Sequence, residues 1–127
     1  MIVADASAGL SALLHRGQAR AEVARQQVHV PHLIDPEIAS GLRRRVAAGK
    51  VEPDHALRML RVWQRLAVTR YPVFGLLDRV WALRENLSAY DASYVALAES
   101  LDVALLTADA RLARAPGIRC AVTVVPR

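Results

Sequence analysis

The sequence predicts an α/β fold built on a central parallel sheet. Three observations carry that reading. Short apolar, strand-like runs alternate with longer stretches of helical periodicity. The clearest strand, Val103-Ala104-Leu105-Leu106-Thr107, is continuously apolar, as a strand covered on both faces must be. No repeat, low-complexity tract or Gly/Ser linker divides the 127 residues, a length suited to one domain with its own core, here 1–127.

Taken in order, Ile2-Val3-Ala4 is a strand, followed by a helix from Ala6 to His15 and a second amphipathic segment from Gln18 to Gln27. Val28-His29-Val30 is a short strand closed by Pro31. Asp35-Pro36-Glu37 has the form of a helix start, with Asp35 as N-cap and Pro36 at the first helical position. That helix runs to about Ala48, where Gly49 supplies a left-handed stop. Pro53 opens a further helix in which Ala56, Leu60, Trp63 and Ala67 recur at helical spacing. A strand over Ala67–Thr69, a helix from Gly75 to about Arg84, a helix after Ser88-Ala89-Tyr90-Asp91 running to Ser100, the 103–107 strand, a brief helix over 110–115 and a last strand around 121–125 complete the pattern.

Composition narrows the function. No segment approaches the ~20 apolar residues of a membrane span, and the N-terminus lacks the basic start and long apolar stretch of a secretory leader, so a cytoplasmic location is expected. Cys120 is the only cysteine, which excludes an internal disulfide and a cysteine-rich zinc site. The net charge of +5 is almost wholly arginine, since Lys50 is the only lysine. That balance favours polyanionic partners, although a GC-rich genome produces the same bias.

Four acids share one kind of position. Asp5 follows the first strand directly, and Asp109 lies just beyond the strand ending at Thr107. Glu37 and Asp91 lie near the starts of two long helices. In a parallel sheet the carboxyl ends of strands and the amino ends of the following helices meet at one edge, where ligands bind. Each acid alone has an ordinary role: Asp5 and Asp109 as N-caps, Glu37 facing a helix dipole, Asp91 completing an S-x-x-D capping pattern with Ser88. Four carboxylates at one edge repel one another, however, and a divalent cation relieves that repulsion. Oxygen-only ligands without histidine or cysteine at ligand spacing point to Mg²⁺ or Mn²⁺. The reaction implied is metal-assisted hydrolysis of a nucleic-acid backbone.

These residues and their surroundings resemble a known family. Asp5 in Ile-Val-Ala-Asp-Ala-Ser, the stretch from Pro31 to Glu37, Tyr90-Asp91-Ala92-Ser93-Tyr94-Val95-Ala96-Leu97-Ala98 and Leu105-Leu106-Thr107-Ala108-Asp109 are together similar to the PIN-domain nucleases, and among them to the VapC toxins of bacterial toxin–antitoxin pairs. The resemblance implies a Rossmann-like α/β/α sandwich, endoribonuclease activity, Mg²⁺ dependence, and inhibition by a cognate antitoxin. By position, Asp5 and Asp91 match the acids that most directly hold metal. Glu37 and Asp109 match the pair that helps hold it or orients the attacking water, and Thr107 matches a hydroxyl that steadies the cluster. Asp5, Asp91 and Asp109 are therefore the expected ligands, with all four acids catalytic. Some relatives carry a further acid shortly after the fourth; Arg111 and Leu112 stand there instead.

Arg43-Arg44-Arg45 points in three directions from consecutive helical positions, so a solvated face is the first expectation and a phosphate clamp the second. Trp63 and Trp81 are expected in packing rather than base stacking, and no histidine shows ligand spacing. Ser7 and Ser11 lack a nucleophile elbow, and no glycine-rich phosphate loop exists. A receiver-like acidic pocket would need paired acids after the first strand and a lysine after a late one, which this chain lacks. A non-cutting PIN-like scaffold would not need four intact acids. Leu13, Leu14, Leu57, Met59 and Trp63 offer more apolar surface than one small sheet needs, which marks an interface. With the family resemblance, that surplus implies a homodimer and an antitoxin groove between the helical hairpins of residues 7–27 and 35–66, ending at the four acids.

Overall fold

A computed structural model describes residues 1–127. Its elements are β1 (Ile2–Ala4), α1 (Ala6–Leu14), α2 (Gln18–Arg25), β2 (Val28–Pro31), α3 (Ile34–Ala47), α4 (Pro53–Arg65), β3 (Val68–Tyr71), a 3-10 turn (Phe74–Leu76), α5 (Leu77–Ala82), α6 (Ala89–Leu101), β4 (Ala104–Thr107), α7 (Ala110–Ala113) and β5 (Val122–Val124). The order across the sheet is β3-β2-β1-β4-β5, and every pairing is parallel. The chain builds outward from β1 through β2 to β3, then crosses back to β4 and builds the other way. Right-handed crossovers therefore put α1 to α4 on one face and α5 and α6 on the other. The result is the doubly wound sandwich that the resemblance implies, and the strand order reverses between β1 and β4.

The core is continuous across the sheet. Val3, Val30, Leu105 and Leu106 fill the strands, while α6 buries every residue from Ala92 to Ala98. Such a helix, apolar nearly all round, belongs against the middle of a sheet, and α6 contacts β1, β2 and β4. On the other face α1 and α3 approach closely because two glycines meet side chains there. A Cβ on Gly9 would stand 2.9 Å from Ile38 Cδ1, and one on Gly41 would run into the end of Leu10.

Two local expectations change. Asp35 does not cap α3. The helix begins at Ile34 after Leu33, with no side-chain cap. Pro36 is tolerated because the first four N–H groups of a helix have no intrahelical partner. Asp35 instead reaches sideways, accepting from Trp63 Nε1 (2.8 Å) and from Arg70 Nε and Nη2 (2.7 and 3.0 Å). It ties the start of α3 to α4 and β3 two residues before Glu37. The apolar surplus also lies elsewhere than expected. Met59 and Trp63 are buried, and Leu13 and Leu14 pack partly against the core; of the expected set only Leu57 is exposed. The most exposed large apolar side chains are Phe74, Trp81 and Tyr90, followed by Met1, Leu77 and Val62. No helix is long and apolar enough to cross a membrane.

Candidate active site

The strand order reverses where β1 and β4 lie side by side, with Ala4 paired to Leu106. That register makes Asp5 and Thr107 neighbours at the carboxyl edge, and the Asp5 amide donates to Leu106 O at 3.0 Å. Crevices form at such a switch point because the flanking connections run off to opposite faces.

Asp5 is the buried centre, only 5% exposed. Its Oδ1 accepts from Ser7 Oγ (2.6 Å) and from the Ala8 amide (2.9 Å), and its Oδ2 accepts from Thr107 Oγ1 (2.5 Å). The amide bond makes Asp5 the N-cap of α1 while its other oxygen is held by Thr107. Burial pushes its carboxyl above the ordinary range; the three hydrogen bonds oppose the shift and the charge of Asp91 adds to it. Thr107, fully buried, donates to Asp5 and accepts from the Asp109 amide at 3.0 Å, linking two acids through one hydroxyl. Ser7 adds a second brace, accepting from the Ala108 amide at 2.8 Å while donating to Asp5. Ser7 is thus a brace rather than a nucleophile. The signal for its true role was its place two residues beyond a strand-end aspartate.

Glu37, in the first turn of α3, is half-buried and accepts from Tyr94 Oη at 2.5 Å. Burial raises its carboxyl most, with the charges of Asp91 and Asp5 contributing. Tyr94 is buried, and burial together with Glu37 drives its phenol far above the ordinary range, so it stays a neutral donor. Asp91 stands in the first turn of α6 behind the N-cap Ser88, raised first by burial and then by the charge of Asp109. Asp109 behaves differently. It caps α7, and Arg111 forks onto it through Nε (3.1 Å) and Nη2 (3.0 Å), holding its carboxyl below the usual range.

The acids therefore couple in a row, Glu37 and Asp5 to Asp91 and Asp91 to Asp109, and no three of them are gathered closely enough to hold one ion. A cleft of about 420 Å³ opens beside Glu37, walled also by Ser7, Leu10, Pro36, Arg44 and Tyr90. A second, of about 260 Å³, opens beside Asp91 and Asp109. The expected acids share one edge but not one cavity: Glu37 lines the first, Asp91 and Asp109 the second, and the buried Asp5 neither.

Tyr94 contributes a test of this geometry. Tyr94→Phe removes the only protein hydrogen bond to the Glu37 carboxylate. Losing that donor lifts Glu37 further above its ordinary range, so the acid limb of the activity profile moves to higher pH. We expect kcat to fall about 10–100-fold, the usual effect of removing a residue that orients a functional group, with KM little changed. A pH–rate profile identical to that of the parent protein would dismiss the role of Tyr94.

A buried aspartate braced by a serine and a threonine at the switch point of a parallel sheet, with three further acids at the same edge, defines the architecture of a PIN-type domain. The PIN-domain family model matches residues 2–118, and the chain belongs to that family. It is of the VapC type: it is 59% identical to Ribonuclease VapC9 of Mycobacterium tuberculosis over 127 residues, spanning all of both chains. Ribonuclease VapC1 of the same species is 40% identical over 126 residues, covering 98% of this chain and 92% of the relative. Among solved structures, a toxin–antitoxin complex from Klebsiella pneumoniae shares the fold with a TM-score of 0.72, at 19% identity and full coverage of both chains.

Proposed function

We propose that this chain is an Mg²⁺-dependent endoribonuclease, the toxin of a type II toxin–antitoxin pair, with Mn²⁺ able to substitute. The observation that carries the reading is Asp5, buried at the switch point and fixed through both oxygens, with Glu37 and Asp91 coupled to it. The relatives at 59% and 40% identity are ribonucleases by name, which supports RNA as the substrate.

The donors suit a hard cation. They are all oxygen, and three of the four carboxyls are raised by burial and by one another's charge, the penalty that a divalent ion relieves. Asp5 and Asp91 would hold the ion, with Asp109 joining once its fork to Arg111 opens. That opening is easy, because the arginine side chain is 82% exposed and an exposed pair is worth only about 0–1 kcal/mol. A bound Mg²⁺ would polarise the scissile phosphate and lower the pKa of an attacking water. Ser7 and Thr107 hold Asp5 in one orientation. Glu37, anchored at Oε1 by Tyr94, keeps its other oxygen free of protein partners to orient a water in the cleft. The direct experiment is cleavage of single-stranded RNA by metal-free protein, with and without added Mg²⁺.

An antitoxin partner has a docking groove available. About 380 Å³ of mainly apolar space lies between α1–α2 and α4, lined by Leu13, Val23, Met59, Val62 and Leu66 with Arg20 at its side. This is the space between the two helical hairpins, although none of the four acids lines it. Val62→Glu puts a charge into that groove at a position half open to solvent, so folding should survive while co-purification with the product of the adjacent gene is lost. An undiminished complex would move the antitoxin elsewhere. Phe74, Leu77 and Trp81, spaced along one exposed face of the 3-10 turn and α5, are the surface we assign to a homodimer. Light scattering of the same preparations reads the dimer, and a strict monomer at micromolar concentration removes it.

A further inference from the structure

An anionic substrate must be held against an anionic site; beside Asp91 and Asp109 the arginine, Arg111, is forked onto Asp109, whereas on the other side the arginines stand outside any ion pair. Between α1 and the end of α3 lies a cavity of about 210 Å³ whose wall includes Ser7, His15, Arg44, Arg45, Ala108 and Arg127, with no acid among its lining residues. The arginines come from distant parts of the chain, α3 and the end that follows β5. None of the three takes part in the protein's ion pairs, which use Arg25, Arg70, Arg79 and Arg111. Arg45 gives one N–H to Gly41 O (3.2 Å) and Arg127 gives one to Ala108 O (3.3 Å), while Arg44 gives none. Most of their donors are therefore uncommitted.

The cavity adjoins the cleft beside Glu37, with which it shares Ser7, Leu10 and Arg44. Ser7 lines it and also holds Asp5, and Arg44 lines both this cavity and the cleft beside Glu37. The charge is felt across that boundary: Arg44 draws the Glu37 carboxyl downward, and Arg127 does the same to Asp109. Guanidinium groups match phosphate oxygens through their planar fork. A nucleic-acid strand with one phosphate at the acids necessarily carries its next phosphate a short step away. We propose that Arg44, Arg45 and Arg127 form a phosphate subsite that seats the RNA backbone beside the bond to be cut. The inference rests on the ribonuclease reading and deepens it by giving the substrate a direction, entering past α3 and the chain's end.

The experiment separates the two. Full-length protein carrying Asp5→Asn leaves RNA uncut, and binding of a short fluorescein-labelled single-stranded RNA of mixed sequence is followed by anisotropy from about 50 to 200 mM salt. Adding Arg44→Gln should weaken binding about 5–10-fold at the low-salt end and reduce the slope of log K against log salt by about 0.7, the value for one phosphate contact on a single strand. Arg127→Gln, at an exposed position, should do the same, and the two together should remove about twice as much slope. Arg58→Gln and Arg61→Gln, exposed on α4, are the controls and should shift binding less than twofold. Equal losses from the α4 controls, or a slope untouched by Arg44→Gln and Arg127→Gln, would overturn the subsite. So would an Arg44→Gln variant that binds RNA normally and instead loses an acidic protein partner. If the parent chain cuts no RNA while the slopes still change as stated, the nuclease reading fails and the subsite stands. If RNA is cut while the slopes do not change, the subsite alone fails.

Discussion

Asp5→Asn is expected to abolish RNA cleavage, by about 1000-fold or more, equivalent to ~4 kcal/mol of transition-state stabilisation, while leaving the fold as stable as before or more so. The hydrogen-bond pattern shows why the fold survives. The retained oxygen still accepts from the Ala8 amide and Ser7, so α1 keeps its cap. The new amide group faces Thr107 Oγ1, and the threonine proton can turn to Ser7 Oγ, 3.2 Å away. What disappears is a buried charge. The folded-state pKa of Asp5 lies above its ordinary value, so this group's contribution to stability is full below the ordinary carboxylate range and is lost as pH rises through the raised value. Above that raised value, without metal, the buried charge of Asp5 costs stability, and asparagine removes that cost. Asp5→Ala behaves oppositely. It loses the cap, at about 1 kcal/mol, and takes away the acceptor of both the Ser7 and Thr107 hydroxyls; only one of the two can turn to the other, so one hydroxyl proton is left unpaired, at about 1–3 kcal/mol more. Activity measured beside thermal melts of both variants at pH 7 decides the matter. Near-normal cleavage by Asp5→Asn would reduce Asp5 to a helix cap, since asparagine caps as well as aspartate does.

The sequence reached this site through local signals. A strand ending in an aspartate, a serine three residues before Asp91, and a glycine at the end of α3 each announce themselves within a few residues. Gly49 does adopt the left-handed conformation, at φ 71°. Parallel topology then brings together acids that are far apart in sequence, because every strand's carboxyl end falls on one edge. Partnerships across the fold left no such trace. Tyr94 and Glu37 are 57 residues apart, and Asp35 meets Arg70 across 35, so nothing in either neighbourhood distinguishes them from core tyrosines and helix caps. Met59 and Trp63 count as surplus by spacing alone, because helical spacing does not reveal how deeply a helix sinks. Here α1 lies close enough to α3 that a Cβ on Gly9 would touch both Ile38 and Trp63, and the tryptophan becomes core. Trp81 went the other way, exposed beneath the Arg84 guanidinium at 4.8 Å. The arginine triplet divides in a manner no spacing rule reveals: Arg44 and Arg45 turn to the site, and Arg43 lines neither cavity beside it.

Removing metal is expected to equal Asp5→Asn in its effect on activity and to oppose it in its effect on stability. In chelator, cleavage should fall below detection and return on adding Mg²⁺ or Mn²⁺, because carboxylates alone do not activate water sufficiently. The same cations should raise the melting temperature of the wild-type chain. An ion bound only by the folded state at 100 times its dissociation constant adds about 2.7 kcal/mol, which for a chain of this size is on the order of ten degrees. That gain should vanish in Asp5→Asn and in Asp91→Asn, whose folds no longer carry the full charge the ion relieves. Arg111→Gln refines the test. Releasing Asp109 from its fork removes an exposed competitor worth about 0–1 kcal/mol, so the variant should bind Mg²⁺ up to about fivefold more tightly while its metal-free melting temperature barely moves. Calorimetric titration reads the affinity directly. Full cleavage by metal-free protein in chelator, or a melting temperature indifferent to Mg²⁺ in wild type and variants alike, would leave the raised carboxyls without a cation to answer them and would require a different chemistry at this edge of the sheet.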